Sequence, residues 1–300
     1  MSETSPHLSG LNRGETPVPG SWPKVAVAAP ILAAILAVLY WPILAGLVTQ
    51  WWDDANYTHG FVVPLFSGVL VWRERARLTA VAPRGTLLGL AVLIGGIGIL
   101  MLGSIGSENF LMRSSLIIVL AGLVLFHLGI RILRILFFPL AFLFFMVPLP
   151  GVVFYAITFP LQRLAAEQAA WTLDLLGVPV LLDGNVIHLS QITLGVTEAC
   201  SGIRSLISLV ASAVAWAYLM LPLGVIAIAF VLSAIPITIF ANAARVVATG
   251  LIGQWFGVEY ASGFFHEFAG LAVYTLALAG LGGVYTLARR LVRRTGELQK

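Results

Sequence analysis

The sequence predicts an all-α polytopic membrane protein, with about eight transmembrane helices and a small folded excursion outside the bilayer. Three observations carry this. The 300 residues are 59% hydrophobic and only 10% charged, against about 25% charged in an ordinary soluble domain. The mean hydropathy is +0.98. Apolar runs recur that approach the roughly 20 residues a helix needs to cross a bilayer.

The elements follow in order. Residues 1–24 are polar and hold Pro, Gly and Ser. They read as a disordered cytoplasmic N-terminus with no charged-then-apolar signal peptide. A membrane domain over 25–290 comes next, and a basic cytoplasmic tail at 291–300 closes the chain. The spans are expected at about 25–48, 61–78, 86–106, 113–130, 132–149, 202–221, 224–250 and 266–288. The second is short before Arg73, and the fifth contains Pro139 and Pro148.

Basic residues orient the spans. With the N-terminus inside, Arg13, Lys24, Arg73, Arg75, Arg77, Arg84, Arg131, Arg134, Arg289, Arg290, Arg293, Arg294 and Lys300 are cytoplasmic, 13 of the 17 Lys and Arg. Arg113, Arg163, Arg204 and Arg245 fall on or near the opposite side. The expectation is a multi-pass protein of the plasma (inner) membrane with both termini cytoplasmic. The net charge of +4 then needs no nucleic-acid partner, because the basic clusters meet anionic membrane lipid. The chain has one cysteine, so no internal disulfide can form.

The outer segment of about 150–200 reads as folded. Residues 152–176 have helical spacing, with Arg163, Glu167 and Asp174 near one stripe and Leu161, Leu164, Trp171 and Leu175 away from it. This predicts an amphipathic helix on the membrane surface. Asp183-Gly184 between β-branched runs is a hairpin signal, and 192–196 offers a third strand. His188 on such a strand reads as structural.

This topology gathers chemistry on one face. Cys200 lies in Thr197-Glu198-Ala199-Cys200-Ser201-Gly202. Thr197 as N-cap would put the cysteine in a first helical turn, where unpaired N–H groups and the helix dipole favour a thiolate. The bland alternative is a small buried hydrophobe. Asn242 and Arg245 share a helix face at i, i+3. An arginine in an apolar span usually faces a polar cavity or a partner; the alternative, an interfacial anchor, belongs on the cytoplasmic side. Arg204 lies one turn beyond Cys200 and either serves the same site or pairs with Glu198 or Glu267. His266 starts the last span, and His59 with Asp53 and Tyr57 occupies the first outer loop. Cys, His and Arg together fit acyl transfer: a thiolate nucleophile, a proton shuttle and an oxyanion stabiliser.

Four stretches resemble the exosortase/archaeosortase family of integral membrane transpeptidases. They are Trp52-Asp53-Asp54-Ala55-Asn56-Tyr57-Thr58-His59-Gly60 with Val63-Pro64 and Trp72-Arg73-Glu74-Arg75; Glu198-Ala199-Cys200-Ser201-Gly202-Ile203; Asn242-Ala243-Ala244-Arg245-Val246; and His266 with Gly270. The resemblance covers about 25–290 and implies a cysteine protease/transpeptidase with Cys200, Arg245 and His266 catalytic. It makes His59, Asn242, Arg204, Tyr57 and Glu198 supporting or substrate-positioning residues, with no metal and no cofactor. The implied substrates are exported proteins ending in a short motif such as Pro-Glu-Pro (PEP-CTERM-like), a hydrophobic helix and a basic cluster, cut outside and transferred to a lipid or glycan envelope acceptor. The alternatives are a transporter and a non-catalytic subunit of polysaccharide or envelope export. Against the transporter stand the lack of a clear inverted repeat and of an acidic residue near the centre of any span.

Overall fold

A computed structural model describes residues 22–196, 202–222, 224–261 and 264–295, with side chains throughout except at 22–26, 258, 261, 264–269 and 294–295. The chain divides into two compact units. One takes the described residues up to Leu47 together with Pro64–Phe144; the other takes Val48–Val63 and the described residues from Phe145 onward.

The first unit is helical. It takes most of α1 (Trp22–Asp53) and α2 (Val62–Arg73), then α3 (Arg75–Ala80), α4 (Leu88–Ile105), α5 (Asn109–His127) and α6 (Ile130–Phe142). The α4–α5 hairpin is its tightest pairing. Gly89, Gly96 and Gly103 recur at every seventh residue, two turns apart on one buried face of α4. A Cβ on Gly96 would lie 2.8 Å from the Val119 side chain, and one on Gly103 would lie 2.8 Å from the Met112 backbone nitrogen. Glycine at this period lets the two backbones approach, the usual packing device where lipid supplies no hydrophobic drive between helices. The buried Tyr40 hydroxyl is satisfied by Ser115 Oγ at 2.9 Å.

Six described helices are long and apolar enough to cross a membrane: Val27–Asp53, Leu88–Ile105, Asn109–His127, Ile203–Met220, Val225–Phe256 and Gly270–Arg293. A seventh is possible if Ile130–Met146 and Gly151–Leu175, bent by 74°, count as one. Two of the eight expected spans are therefore revised. The stretch 61–78 stops at Arg73 after 12 residues, about 18 Å of helix against a core of about 30 Å. Arg73, Glu74, Arg75 and Arg77 end it, and Arg77 pairs with Glu74 at 2.8 Å at an exposed break. In 132–149, α6 tightens into a 3-10 helix over Leu143–Met146 and stops ahead of Pro148 and Pro150, which have no N–H to continue it.

The second unit contains α7 (Gly151–Leu175), β1 (Leu181–Asp183), β2 (Val186–His188), β3 (Thr193–Gly195), α8 (Ile203–Met220), α9 (Val225–Phe256), α10 (Val258–Ala261) and α11 (Phe264–Thr295). The strands form an antiparallel sheet in the order β1-β2-β3, with Asp183 opposite Val186 and Ile187 opposite Leu194. The Asp-Gly signal thus marks a real hairpin, with Gly184 and Asn185 as its two-residue turn. Gly184 has φ +61°.

The buried face of α7 differs from the expected one. Ala165, Ala166, Ala169 and Leu173 pack with Val178, Ile187, Leu189, Ile192 and Val196 from the sheet region and with Val246 of α9. The small alanines admit the sheet close to the helix. Trp171 and Leu175, large and apolar, are each 65% exposed and point away from this core. Arg163 and Glu167 form an exposed i,i+4 pair at 2.8 Å, of little energetic weight. Helices α8, α9 and α11 share a second core around Leu209, Phe230, Ala234 and Leu281. Trp216 near the end of α8 meets Phe230 near the start of α9 and Tyr285 late in α11. Consecutive helices therefore run antiparallel, so the start of α8, the second half of α9 and the start of α11 lie at the same end.

Candidate active site

The site is built within the second unit from chain ends. After α1, Asp54 caps a 3-10 helix over Ala55–Phe61, its carboxylate accepting from the Asn56 N–H at 2.9 Å. Its own N–H donates to the Gln50 carbonyl and its carbonyl accepts from Tyr57 N–H, both at 2.9 Å. Asp54, rather than the exposed Asp53, is the acid that organises this loop.

Two side chains then reach across to one turn of backbone. Trp51 donates from Nε1 to the Met146 carbonyl at 2.9 Å, and His59 Nε2 lies 3.1 Å from the Phe145 carbonyl. A carbonyl only accepts, so His59 carries its proton on Nε2 in this contact. Pro148 removes the i+3 donor that Phe145 would otherwise meet, and Pro150 removes the i+4 donor of Met146. Burial lowers the His59 pKa below its ordinary value, outweighing the opposing pull of the Phe145 and Asn56 backbone. His59 is therefore neutral at pH 7 and acts as a donor. Tyr57 is buried, its ring 6.2 Å from Phe154 and 6.4 Å from His59.

The 3-10 helix packs against α8. The start of α8 is set by Gly202, its N-cap, with φ +78°, a left-handed conformation that disfavours any side chain. A Cβ there would also lie 3.0 Å from Asn242 Cγ, so Asn242, only 4% exposed, sits directly against the helix start. Arg204 is the second residue of α8. Arg245, half-buried, lies beside Gly270 of α11: a Cβ on Gly270 would be 3.7 Å from Arg245 Nη2. His266 precedes Gly270 by four positions, one turn away on the same face of α11 by helical register.

The structure thus brings together Arg204, Asn242, Arg245 and the His59–Tyr57 loop with the turn of α11 that carries His266. The side chain of His266 and the whole of Cys200, Glu198 and Thr197 lie outside the described residues. α8 begins at Ile203 with Gly202 as its N-cap; the expected cap at Thr197 lies outside the described residues. His188 is not part of this group; it faces Thr193 Oγ1 at 3.2 Å across β2 and β3. Sequence reasoning missed Asp54 and Trp51. The Asp-x-Asn spacing at 54–56 was the available sign of the first; for Trp51 the partner is a backbone carbonyl 95 residues away, and no local signal exists.

Hydropathy and the bundle of long apolar helices define a multi-pass membrane protein whose polar site lies at helix ends. Residues 51–283 match the family model described as Transmembrane exosortase (Exosortase_EpsH), and the chain belongs to that family. The matched region runs from Trp51, at the start of the site, through most of α11. No curated protein and no solved structure matches the chain. Membership in the family suggests a role in processing sorting signals.

Proposed function

We propose that this protein is a membrane-embedded cysteine protease/transpeptidase. It removes the C-terminal sorting tail of exported proteins at the outer face of the plasma membrane and transfers the new C-terminus to an envelope acceptor. The observations that carry the reading are the close approach of Asn242 to Gly202 at the start of α8 and of Arg245 to Gly270 early in α11. Chain connectivity keeps Cys200 within about 7 Å of Gly202 at Cα. The excess of Lys and Arg on the opposite side supports an outward-facing site with cytoplasmic termini.

In this reading the Cys200 thiolate attacks the scissile carbonyl. Arg245 stabilises the oxyanion, a task worth about 10²–10³ in rate for a single donor elsewhere. As the C–N bond breaks, His266 gives its proton to the leaving amine and a thioester remains. His266 then takes the proton of the incoming nucleophile, which attacks the thioester and releases the thiolate. His59, held neutral on the Phe145 carbonyl, shapes the loop that positions the substrate rather than shuttling the proton. Sorting tails of this class contain a hydrophobic helix. An apolar groove of about 560 Å³ between α7 and α9, lined by Trp171, Phe240, Ala243, Ala244 and Ala248, offers a surface for such a helix.

The test is co-expression with an exported protein bearing a motif–helix–basic tail, read by the size and C-terminus of the product. Cys200→Ala protein that reaches the membrane and leaves the tail intact supports the reading. Complete processing by that variant overturns it, and tail-independent loss of envelope export would favour a non-catalytic role.

A further inference from the structure

Exposed arginines gather at one end of the first unit: Arg73, Arg75 and Arg77 on α2 and α3, Arg84 ahead of α4, and Arg131 and Arg134 on α6. The packing sets their level. Phe66 of α2 meets Phe142 of α6 with ring centroids 4.9 Å apart, and α3, which follows α2, still packs on α6. The two helices therefore run antiparallel from that contact. Arg73 follows Phe66 and Arg134 precedes Phe142, each by about two turns, so the two arginines are level. Arg84 donates its N–H to the Leu128 carbonyl at 3.1 Å, and a Cβ on Gly129 would collide with the Arg84 carbonyl. Arg84 is thus tied to the turn that leads into Arg131. That level is the edge of the apolar layer. The span Leu88–Ile105 starts just after Arg84, and the span Asn109–His127 ends just before Leu128. Trp72 is 68% exposed and has the Arg75 guanidinium carbon 4.7 Å from its ring centre, an aromatic of the kind found at membrane–water interfaces.

The charge of this cluster is left over. Between Pro64 and Phe144 the acids are Glu74 and Glu108. Glu74 pairs with Arg77 at 2.8 Å, and Glu108 caps the far end of α5. Among the described residues Arg73, Arg84, Arg131 and Arg134 have no carboxylate partner. Guanidinium groups brought together from separate chain segments repel one another unless an anion sits among them, and their planar forks match a phosphate. The surroundings select the kind of phosphate. Leu87 and Leu88 at the start of α4, and Ile130 and Phe137 on α6, are large, apolar and exposed. A ligand at the arginines therefore meets charge and apolar surface together, and a free phosphate uses only the first. We propose that this cluster binds the phosphodiester headgroup of an anionic phospholipid, with the acyl chains lying along α4 and α6. A general attraction of basic ends to an anionic leaflet needs no arrangement of residues; this site depends on one. It is independent of the cysteine-enzyme reading.

Native mass spectrometry of the full-length protein in neutral detergent, titrated with phosphatidylglycerol or with phosphatidylcholine, measures the two affinities. Wild type should prefer phosphatidylglycerol. Arg131→Gln with Arg134→Gln, and separately Arg73→Gln with Arg84→Gln, should each reduce that preference about tenfold. Arg290→Gln with Arg293→Gln removes the same charge from the end of α11 and should leave the preference unchanged. Arg134→Lys keeps the charge without the fork and should fall between Arg134→Gln and wild type. No preference in wild type overturns the proposal. So does an equal loss in the α11 pair, which would mean diffuse charge and no site. Excess glycerol phosphate, the soluble headgroup, should not displace the lipid; complete displacement would mean a site for free phosphates and would also overturn it. The arginines are exposed, so the variants should melt close to wild type in the absence of added lipid. If a double variant does not fold, Arg134→Gln alone carries the same comparison.

Discussion

His59 donates to the carbonyl of Phe145 at 3.1 Å, 86 residues further along the chain, three residues ahead of Pro148, which has no N–H. The pH response follows from the burial of that imidazole. Its folded pKa is lowered from an unfolded value of about 6.5, so the unfolded chain binds the proton more tightly. The stability His59 contributes is complete above about pH 6.5 and declines as the pH falls toward the folded value. Thermal unfolding of wild type and His59→Gln between about pH 8 and about pH 5 checks this: the wild-type advantage should shrink with acidification, and a flat difference refutes it.

As a positioning residue, His59 should be separable from the nucleophile. His59→Ala should slow tail cleavage while Cys200 keeps its reactivity toward a small thiol reagent. Loss of one hydrogen bond costs about 1 kcal/mol, so the variant should remain folded. If the variant is thermally unstable and the surviving protein processes tails normally, the loop is only a structural cap.

Gly202→Ala should be one of the most damaging small substitutions in the site. A left-handed conformation at a non-glycine residue costs about 1–2 kcal/mol, and the added Cβ would press on Asn242 Cγ at 3.0 Å. Gly202→Ala with Asn242→Ala removes the Cγ contact but leaves Asn242 Cβ at 3.1 Å and the strained backbone, so only part of the lost melting temperature should return. Full recovery would mean that the backbone conformation is unimportant.

Arg245 and Gly270 offer a graded probe of the same cluster. A methyl group at Gly270 meets the guanidinium at an ordinary contact distance of 3.7 Å, so Gly270→Ala should keep near-normal cleavage. Gly270→Leu must displace the arginine and should approach the defect of Arg245→Lys, which loses the planar fork. Cleavage assays on the three variants, with membrane levels matched, decide; full activity in Gly270→Leu would separate Arg245 from the reaction.

Ile187 is fully buried between the sheet and the alanine face of α7. Ile187→Ala should destabilise the packing of the sheet on α7 by about 2–5 kcal/mol. Limited proteolysis should then cut within 175–196 before any of the long helices. Resistance equal to wild type would show that the sheet does not depend on this core.

The sequence by itself determined the membrane class, the long apolar helices and the hairpin at Asp183-Gly184-Asn185, because hydropathy and turn chemistry are local properties. It also singled out Asn242, Arg245 and Arg204 on helix-face spacing. Tertiary structure alone decided that the stretch 61–78 ends at Arg73 and that α7 buries alanines rather than its large apolar residues. It also decided that Asp54, not Asp53, caps the 3-10 helix after α1. Each of these depends on what the segment meets: whether a partner backbone can come close, whether a carbonyl elsewhere has lost its donor to a proline, and which charges two separate helices bring to one end. Those partners lie dozens of residues away, and no local pattern encodes the distance between them.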